Sequence, residues 1–207
     1  MLEVNHVSYA FAETTIRAHF QVEPGECLAL MGPSGCGKTT ILDLIAGFRT
    51  LHEGEIRYQG KNLTGLEPAR RPLSYLFQQH NLLPHLTVWQ NIGLGIHPGL
   101  KMNAQDRAQI AWALSSVGLV GFEQRKPSEL SGGQQQRVGL GRCLVRKRPL
   151  LLLDEPFSAL DQDIRSNIMQ LILTLQANHP FTLILSTHQE SDAQALGARI
   201  YRFDTAR

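Results

Sequence analysis

The chain has 207 residues, 43% hydrophobic and 18% charged, and its 20 basic against 18 acidic side chains leave a net charge of +2. That apolar share supports one ordinary globular domain with a real core. So small a basic excess lacks the clustered face that phosphate-backbone binding needs, which argues against nucleic acid as a partner.

Along the chain, MLEVNHVSYAF carries no basic stretch ahead of a long apolar run, so no secretory signal or membrane anchor is expected there. Strands are predicted over 2–7 and 16–22, then over 27–31, a short apolar run of the kind buried on both faces. A helix over 39–47 and a strand over 55–58 follow; the strands at 16–22 and 55–58 alternate roughly, as at a half-exposed sheet edge. After an apolar strand over 73–77, residues 79–148 hold helical patterns without a clear strand: 104–117, with Asn103 as N-cap, and 134–146. Strands over 150–153, 182–186 and 199–203 enclose a last helix over 163–178. Strands alternating with helices give an α/β fold with a mostly parallel sheet, an N-terminal antiparallel edge and a helical subdomain at about 79–148. Ligands of such folds bind at the carboxyl ends of the strands.

One stretch is unusual: no Asp, Glu, Lys or Arg occurs between Pro72 and Leu100. It is long enough to span a bilayer. Gln78, Gln79, His80, Asn81, Pro84, His85, Gln90, Asn91 and Pro98 make it too polar to do so. Cys27, Cys36 and Cys143 are too few and too scattered for a disulfide framework or a zinc site, and read as reduced thiols.

Directly after the strand at 27–31 come Gly32, Pro33, Ser34, Gly35, Cys36, Gly37, Lys38, Thr39 and Thr40, matching G-x-x-x-x-G-K-[ST] in its required strand–helix setting. Its glycines let successive backbone N–H groups turn onto phosphate oxygens at a helix start. Lys38 bridges the β- and γ-phosphates and Thr39 ligates Mg²⁺. The run Leu150-Leu151-Leu152-Leu153 delivers Asp154 and Glu155 to the same end of the sheet, Asp154 to hold Mg²⁺ and Glu155 to polarise the attacking water. A third element, Leu130-Ser131-Gly132-Gly133-Gln134, opens another helix with exposed N–H groups and Ser131 as its cap. One nucleotide needs one phosphate cradle, so two of different design point to a nucleotide held between two chains.

With these motifs in this order the sequence resembles, over essentially its whole length, the ATP-binding subunits of ATP-binding-cassette (ABC) transporters. The resemblance makes the phosphate loop Walker A, the acidic strand Walker B with Glu155 catalytic, and Ser131, Gly132, Gly133 and Gln134 the signature that reaches ATP in the partner copy. It implies that Gln78 is the Q-loop glutamine on Mg²⁺ and the γ-phosphate, that Ser158-Ala159-Leu160-Asp161 is the D-loop at the dimer interface, and that His188 is the switch histidine. Phe11 aligns with the aromatic that stacks on adenine, with Tyr9 a neighbouring aromatic. The stretch after Gln78, with Asn81-Leu82-Leu83-Pro84-His85-Leu86-Thr87-Val88, resembles the importers' surface for a membrane-embedded permease. Segments 70–74, 76–88, 90–95, 98–101 and 142–146 look like the ATP-binding subunits of bacterial thiamine importers.

The resemblance therefore implies a homodimer binding ATP and Mg²⁺ at the cytoplasmic face of the inner membrane. It would serve a permease directly and a periplasmic binding protein indirectly. Iron, polyamine or sulfate importers are the alternative cargo classes; a non-transport ABC ATPase would carry long insertions that are not seen, and a P-loop kinase or GTPase leaves the signature unexplained. On this length, no C-terminal regulatory domain of the kind many relatives carry is expected. Two departures stand out. Gly139 and Gly141 sit where the family usually has alanine, each costing about 1 kcal/mol in a helix interior, and they mean drift, close packing of another helix, or a more pliable subdomain. Cys36 sits inside the phosphate loop, an electropositive setting that makes a thiol nucleophilic.

Overall fold

The computed structural model describes residues 1–11, 14–79 and 81–203. In chain order it contains β1 (Leu2–Phe11), β2 (Thr14–Val22), β3 (Cys27–Met31), α1 (Lys38–Ala46), β4 (Glu53–Tyr58), β5 (Lys61–Asn62) and β6 (Leu73–Leu76). Then come α2 (Val88–Gly93), α3 (Ala104–Ser116), α4 (Gly132–Val145), β7 (Leu150–Asp154), α5 (Gln162–Asn178), β8 (Thr182–Thr187), α6 (Glu190–Ala195) and β9 (Arg199–Arg202). Short 3₁₀ turns lie at Pro68–Arg70 and Pro127–Glu129.

The chain divides into two compact units, the first holding Met1–Leu73, Pro149–Glu155 and the residues from Gln176 on, the second Ser74–Arg148 and Pro156–Leu175. In the first, β1 pairs antiparallel with β2 and β4, and β5 extends the edge, in the order β2-β1-β4-β5. The pairing shifts between Asn5 and Ser8, where His6 takes a φ of 46°, so β1 runs to Phe11, past the predicted Val7. A bulge of this kind adds a residue without ending the strand.

The first unit's parallel strands run β7-β8-β3-β9. Every residue of β3, β7 and β8 is buried, as expected of strands covered on both faces. Helix α1 packs on β7, and α6 packs on β3 and β8. Register places Met31 opposite Thr187 and Asp154 opposite Ser186, so the carboxyl ends of β3, β7 and β8 are level. The loops that leave them start from one edge.

Helix α1 ends where its carbonyls find a partner. Gly47 takes the left-handed conformation, φ 87°, and the Arg71 guanidinium donates to the Leu44 and Ile45 carbonyl oxygens at 2.8 and 2.7 Å. A Cβ at Gly47 would lie 2.5 Å from the Arg71 Nε, so only glycine fits this cap.

In the second unit α2, α3 and α4 pack on one another around Ile92, Ile110, Leu114 and Val138. Asn103 caps α3 by accepting from the Asp106 N–H at 2.9 Å. The glycines of α4 have a packing reason in at least one case, because a Cβ at Gly141 would lie 3.1 Å from Ile92 Cδ1 of α2. Among the described residues no helix is long and apolar enough to cross a membrane.

Candidate active site

The loop from Gly32 to Gly37 joins the buried β3 to α1, and its glycines at 35 and 37 have φ of 82° and 107°. A Cβ on Gly37 would strike Ile16 at 2.7 Å, so the turn needs glycine twice over, for conformation and for space. Pro33, Ser34 and Gly35 are exposed, whereas Lys38 is 6% exposed. The Lys38 ammonium donates to the carbonyl oxygens of Gly32 at 2.7 Å and Pro33 at 3.0 Å, and Cys36 Sγ lies 4.0 Å from it. A buried cation held by neutral carbonyls is ready to exchange them for a more strongly charged acceptor.

The next residue, Thr39, donates its hydroxyl to Asp154 Oδ1 at 3.1 Å, linking the helix start to the end of β7. Ser186 Oγ donates to the same oxygen at 2.6 Å. Burial pushes the Asp154 carboxyl above its ordinary range, and the two hydroxyls act against that shift. A buried carboxylate beside a hydroxyl is a hard oxygen set of the kind Mg²⁺ takes.

Glu155 adopts a φ of 47°, its N–H donates to Ser186 Oγ at 2.9 Å, and its carboxylate lies 4.0 Å from His188 Nδ1. The loop carrying His188 is braced by Thr187, whose hydroxyl donates to Asp192 Oδ2 at 2.7 Å and accepts from the Gln189 N–H at 3.1 Å. The first unit thus gathers the phosphate loop, Lys38, Thr39, Asp154, Glu155 and His188 at the level strand ends.

Two predicted groups meet in the second unit. Ser131 caps α4 in a reciprocal box: its hydroxyl accepts from the Gln134 N–H at 3.3 Å, and Gln134 Oε1 accepts from the Ser131 N–H at 2.9 Å. A Cβ at Gly133 would lie 2.8 Å from the Ala159 carbonyl oxygen, so glycine here lets the segment carrying Ser158 and Asp161 lie against the helix start. Asp161 in turn caps α5, accepting from the Ile164 N–H at 3.0 Å. Gln78 follows β6 and is exposed, as are Ser131 and Gly132.

Phe11 closes β1, but its side chain lies outside the described residues, as does His80. Tyr9 is engaged elsewhere: its ring stacks on His52 at 5.2 Å and its hydroxyl accepts from Arg49 at 2.9 Å. Ser186 was not among the predicted site residues. Its only signal was a hydroxyl inside the apolar run TLILST, and register with Asp154 is a property of the folded sheet.

The uncharged stretch is organised by one side chain. Asn91 is fully buried; its Oδ1 accepts from the Leu83 N–H at 2.9 Å, and its Nδ2 reaches the carbonyl oxygens of Leu83, Leu86 and Thr87 at 3.1, 3.1 and 3.0 Å. Arg142 donates to the Asn81 carbonyl at 2.9 Å. Leu83 itself is 38% exposed.

Known proteins resemble this chain closely. A sequence profile described as ABC transporter matches residues 16–158. A protein of Vibrio cholerae named thiamine import ATP-binding protein ThiQ is 46% identical over 200 residues, 97% of this chain and 84% of its own length. The protein of that name from Escherichia coli K12 is 45% identical over 96% of this chain and 86% of its own. Among solved structures, the ATP-binding cassette MJ0796, seen as a dimer in a post-hydrolysis state with ADP and Pi, superposes with a TM-score of 0.88 at 32% identity, covering 98% of this chain and 94% of its own. A second dimeric structure of that cassette gives 0.86.

Proposed function

The chain belongs to the ABC transporter family and has the ABC ATPase fold, and from that membership we propose that it hydrolyses ATP to drive an importer of thiamine or its phosphates. The cargo rests on one observation, identity near 45% across nearly the whole chain to relatives named for thiamine import. The chain works as a dimer of two copies, as the related cassette does. It docks on a permease through the segment holding Leu83 and His85, at the cytoplasmic face of the inner membrane.

The residues take the tasks that the family resemblance implies, and the surroundings of several support them. Lys38 leaves the Gly32 and Pro33 carbonyls for the β- and γ-phosphates, while the loop N–H groups and the start of α1 take the remaining phosphate charge. Thr39 and Asp154 would hold Mg²⁺. When bound, that ion neutralises charge on the phosphate oxygens. Glu155 accepts the proton of the attacking water, and His188, beside it, contacts the γ-phosphate. Ser131, Gly132, Gly133 and Gln134 of one copy present a capped helix start to the nucleotide of the other. Phe11 stacks on adenine, since Tyr9 is already committed to His52 and Arg49.

The test is reconstitution with the candidate permease and binding protein in lipid. Thiamine should raise the ATPase rate, and no response with partners intact refutes the cargo. Glu155→Gln should accumulate an ATP-bound dimer with little turnover; normal hydrolysis by that variant removes Glu155 as the base.

A further inference from the structure

Ser186 is fully buried in β8, in a strand whose other interior residues, Leu183, Ile184 and Leu185, are aliphatic. Burial alone does not ask for a hydroxyl there. A buried hydroxyl is retained without penalty only if it is hydrogen-bonded, and this one is bonded on both sides. It donates to Asp154 Oδ1 at 2.6 Å and accepts the Glu155 N–H at 2.9 Å. A hydroxyl has one proton to give, so the order is fixed: the Glu155 amide donates to Ser186, and Ser186 donates to Asp154.

Each bond controls something that hydrolysis needs. Thr39 and Ser186 both reach Oδ1 of Asp154, so that oxygen is doubly held and the rotation of the carboxylate is set. The amide bond holds Glu155 at a φ of 47°, a left-handed conformation that residues with a Cβ seldom adopt without support from their surroundings. That backbone turn decides where the Glu155 carboxylate points, here to 4.0 Å from His188 Nδ1.

We propose that Ser186 is a positioning residue for ATP hydrolysis, tying the rotation of Asp154 to the backbone turn at Glu155 through one hydroxyl. This rests on the assignment of Asp154 to the metal and Glu155 to the water, and deepens it. Nucleotide affinity comes from Lys38 and the loop, which Ser186 does not touch, so its loss is felt in turnover.

The intact protein is assayed with MgATP as wild type, Ser186→Ala, Ser186→Thr, Ser186→Val and Glu155→Gln. With Mg²⁺ saturating, Ser186→Ala and Ser186→Val should lower kcat about tenfold with the KM for ATP within about twofold, and Ser186→Thr should recover most of it. Threonine and valine share a shape and differ in the hydroxyl, so this pair carries the comparison even if alanine fails to fold. A second readout needs no turnover: Mn²⁺ affinity of the protein saturated with a non-hydrolysable ATP analogue, read by electron paramagnetic resonance, should weaken in Ser186→Val and return in Ser186→Thr. Equal kcat for threonine and valine, or a KM that rises as kcat falls, overturns the proposal. If Glu155→Gln hydrolyses normally, the underlying assignment fails; if it is inactive while Ser186→Val turns over normally, only the role of Ser186 fails.

Discussion

Replacing Asn91 with alanine should loosen the uncharged loop more than it harms the nucleotide site. The side chain is fully buried, with Oδ1 holding the Leu83 N–H and Nδ2 serving three carbonyl oxygens with its two protons. One of those carbonyls, that of Thr87, also accepts the Asn91 N–H at 2.8 Å and keeps that partner. Counting the Oδ1 bond and two from Nδ2 at about 1 kcal/mol each, the loss is roughly 3 kcal/mol. For a chain of this size that lowers the melting temperature by roughly 6–12 °C. Asn91→Asp should be worse, since it keeps the acceptor but turns a carboxylate toward carbonyl oxygens. Thermal melts give the size of the effect, and amide exchange gives its place: the Leu83 N–H should lose protection first. A melting shift below about 2 °C, or unchanged protection at Leu83, refutes the claim that Asn91 organises this loop.

Three further outcomes follow from the same geometry. Alkylation should inactivate through Cys36, with ATP protecting, because Cys27 and Cys143 are buried and their thiols are pushed up to about 12 and about 11; equal inactivation of Cys36→Ala points to another target. Asp154→Asn should abolish hydrolysis yet raise the melting temperature of the nucleotide-free protein at neutral pH. Burial raises the folded-state pKa of Asp154, so ionising it costs stability as pH climbs through that value, and the advantage of asparagine should shrink toward acid pH; a pH-independent difference in melts refutes this. Charge at Leu83 or His85, as in Leu83→Glu, should stop transport by the reconstituted importer while the isolated ATPase keeps its rate, and transport that persists puts the docking surface elsewhere.

How much of this was legible depended on whether the determinant was local. The phosphate loop could be read because its chemistry, its left-handed glycines and its helix start are consecutive residues, and Asn103 and Ser131 announced their helices by the same local logic. The fully buried strands could be read as apolar runs. Helix α2 was missed although Thr87 and Gln90 form a capping box, because six residues are too few to show a helical period. Helix α6, equally short, has no side-chain cap and is braced by the bond from Thr187 to Asp192. The extension of β1 was hidden by the bulge at His6, which breaks the alternation that period-two reading follows.

The deepest illegibility is the one that matters most to the site. Ser186 and Asp154 are 32 residues apart, and their hydrogen bond exists because β7 and β8 pair in parallel with those two residues opposite. Slipping that register by one residue would turn the Ser186 hydroxyl to the other face of the sheet and bring a neighbouring side chain opposite Asp154. The motif names the acids, but the strand pairing aims them. The uncharged stretch obeys the same division. The sequence shows that charge is missing after Pro72, while the fold shows what holds part of that stretch: Asn91, fully buried, fixes the loop by neutral bonds to the backbone of Leu83, Leu86 and Thr87, contacts that no local pattern announces.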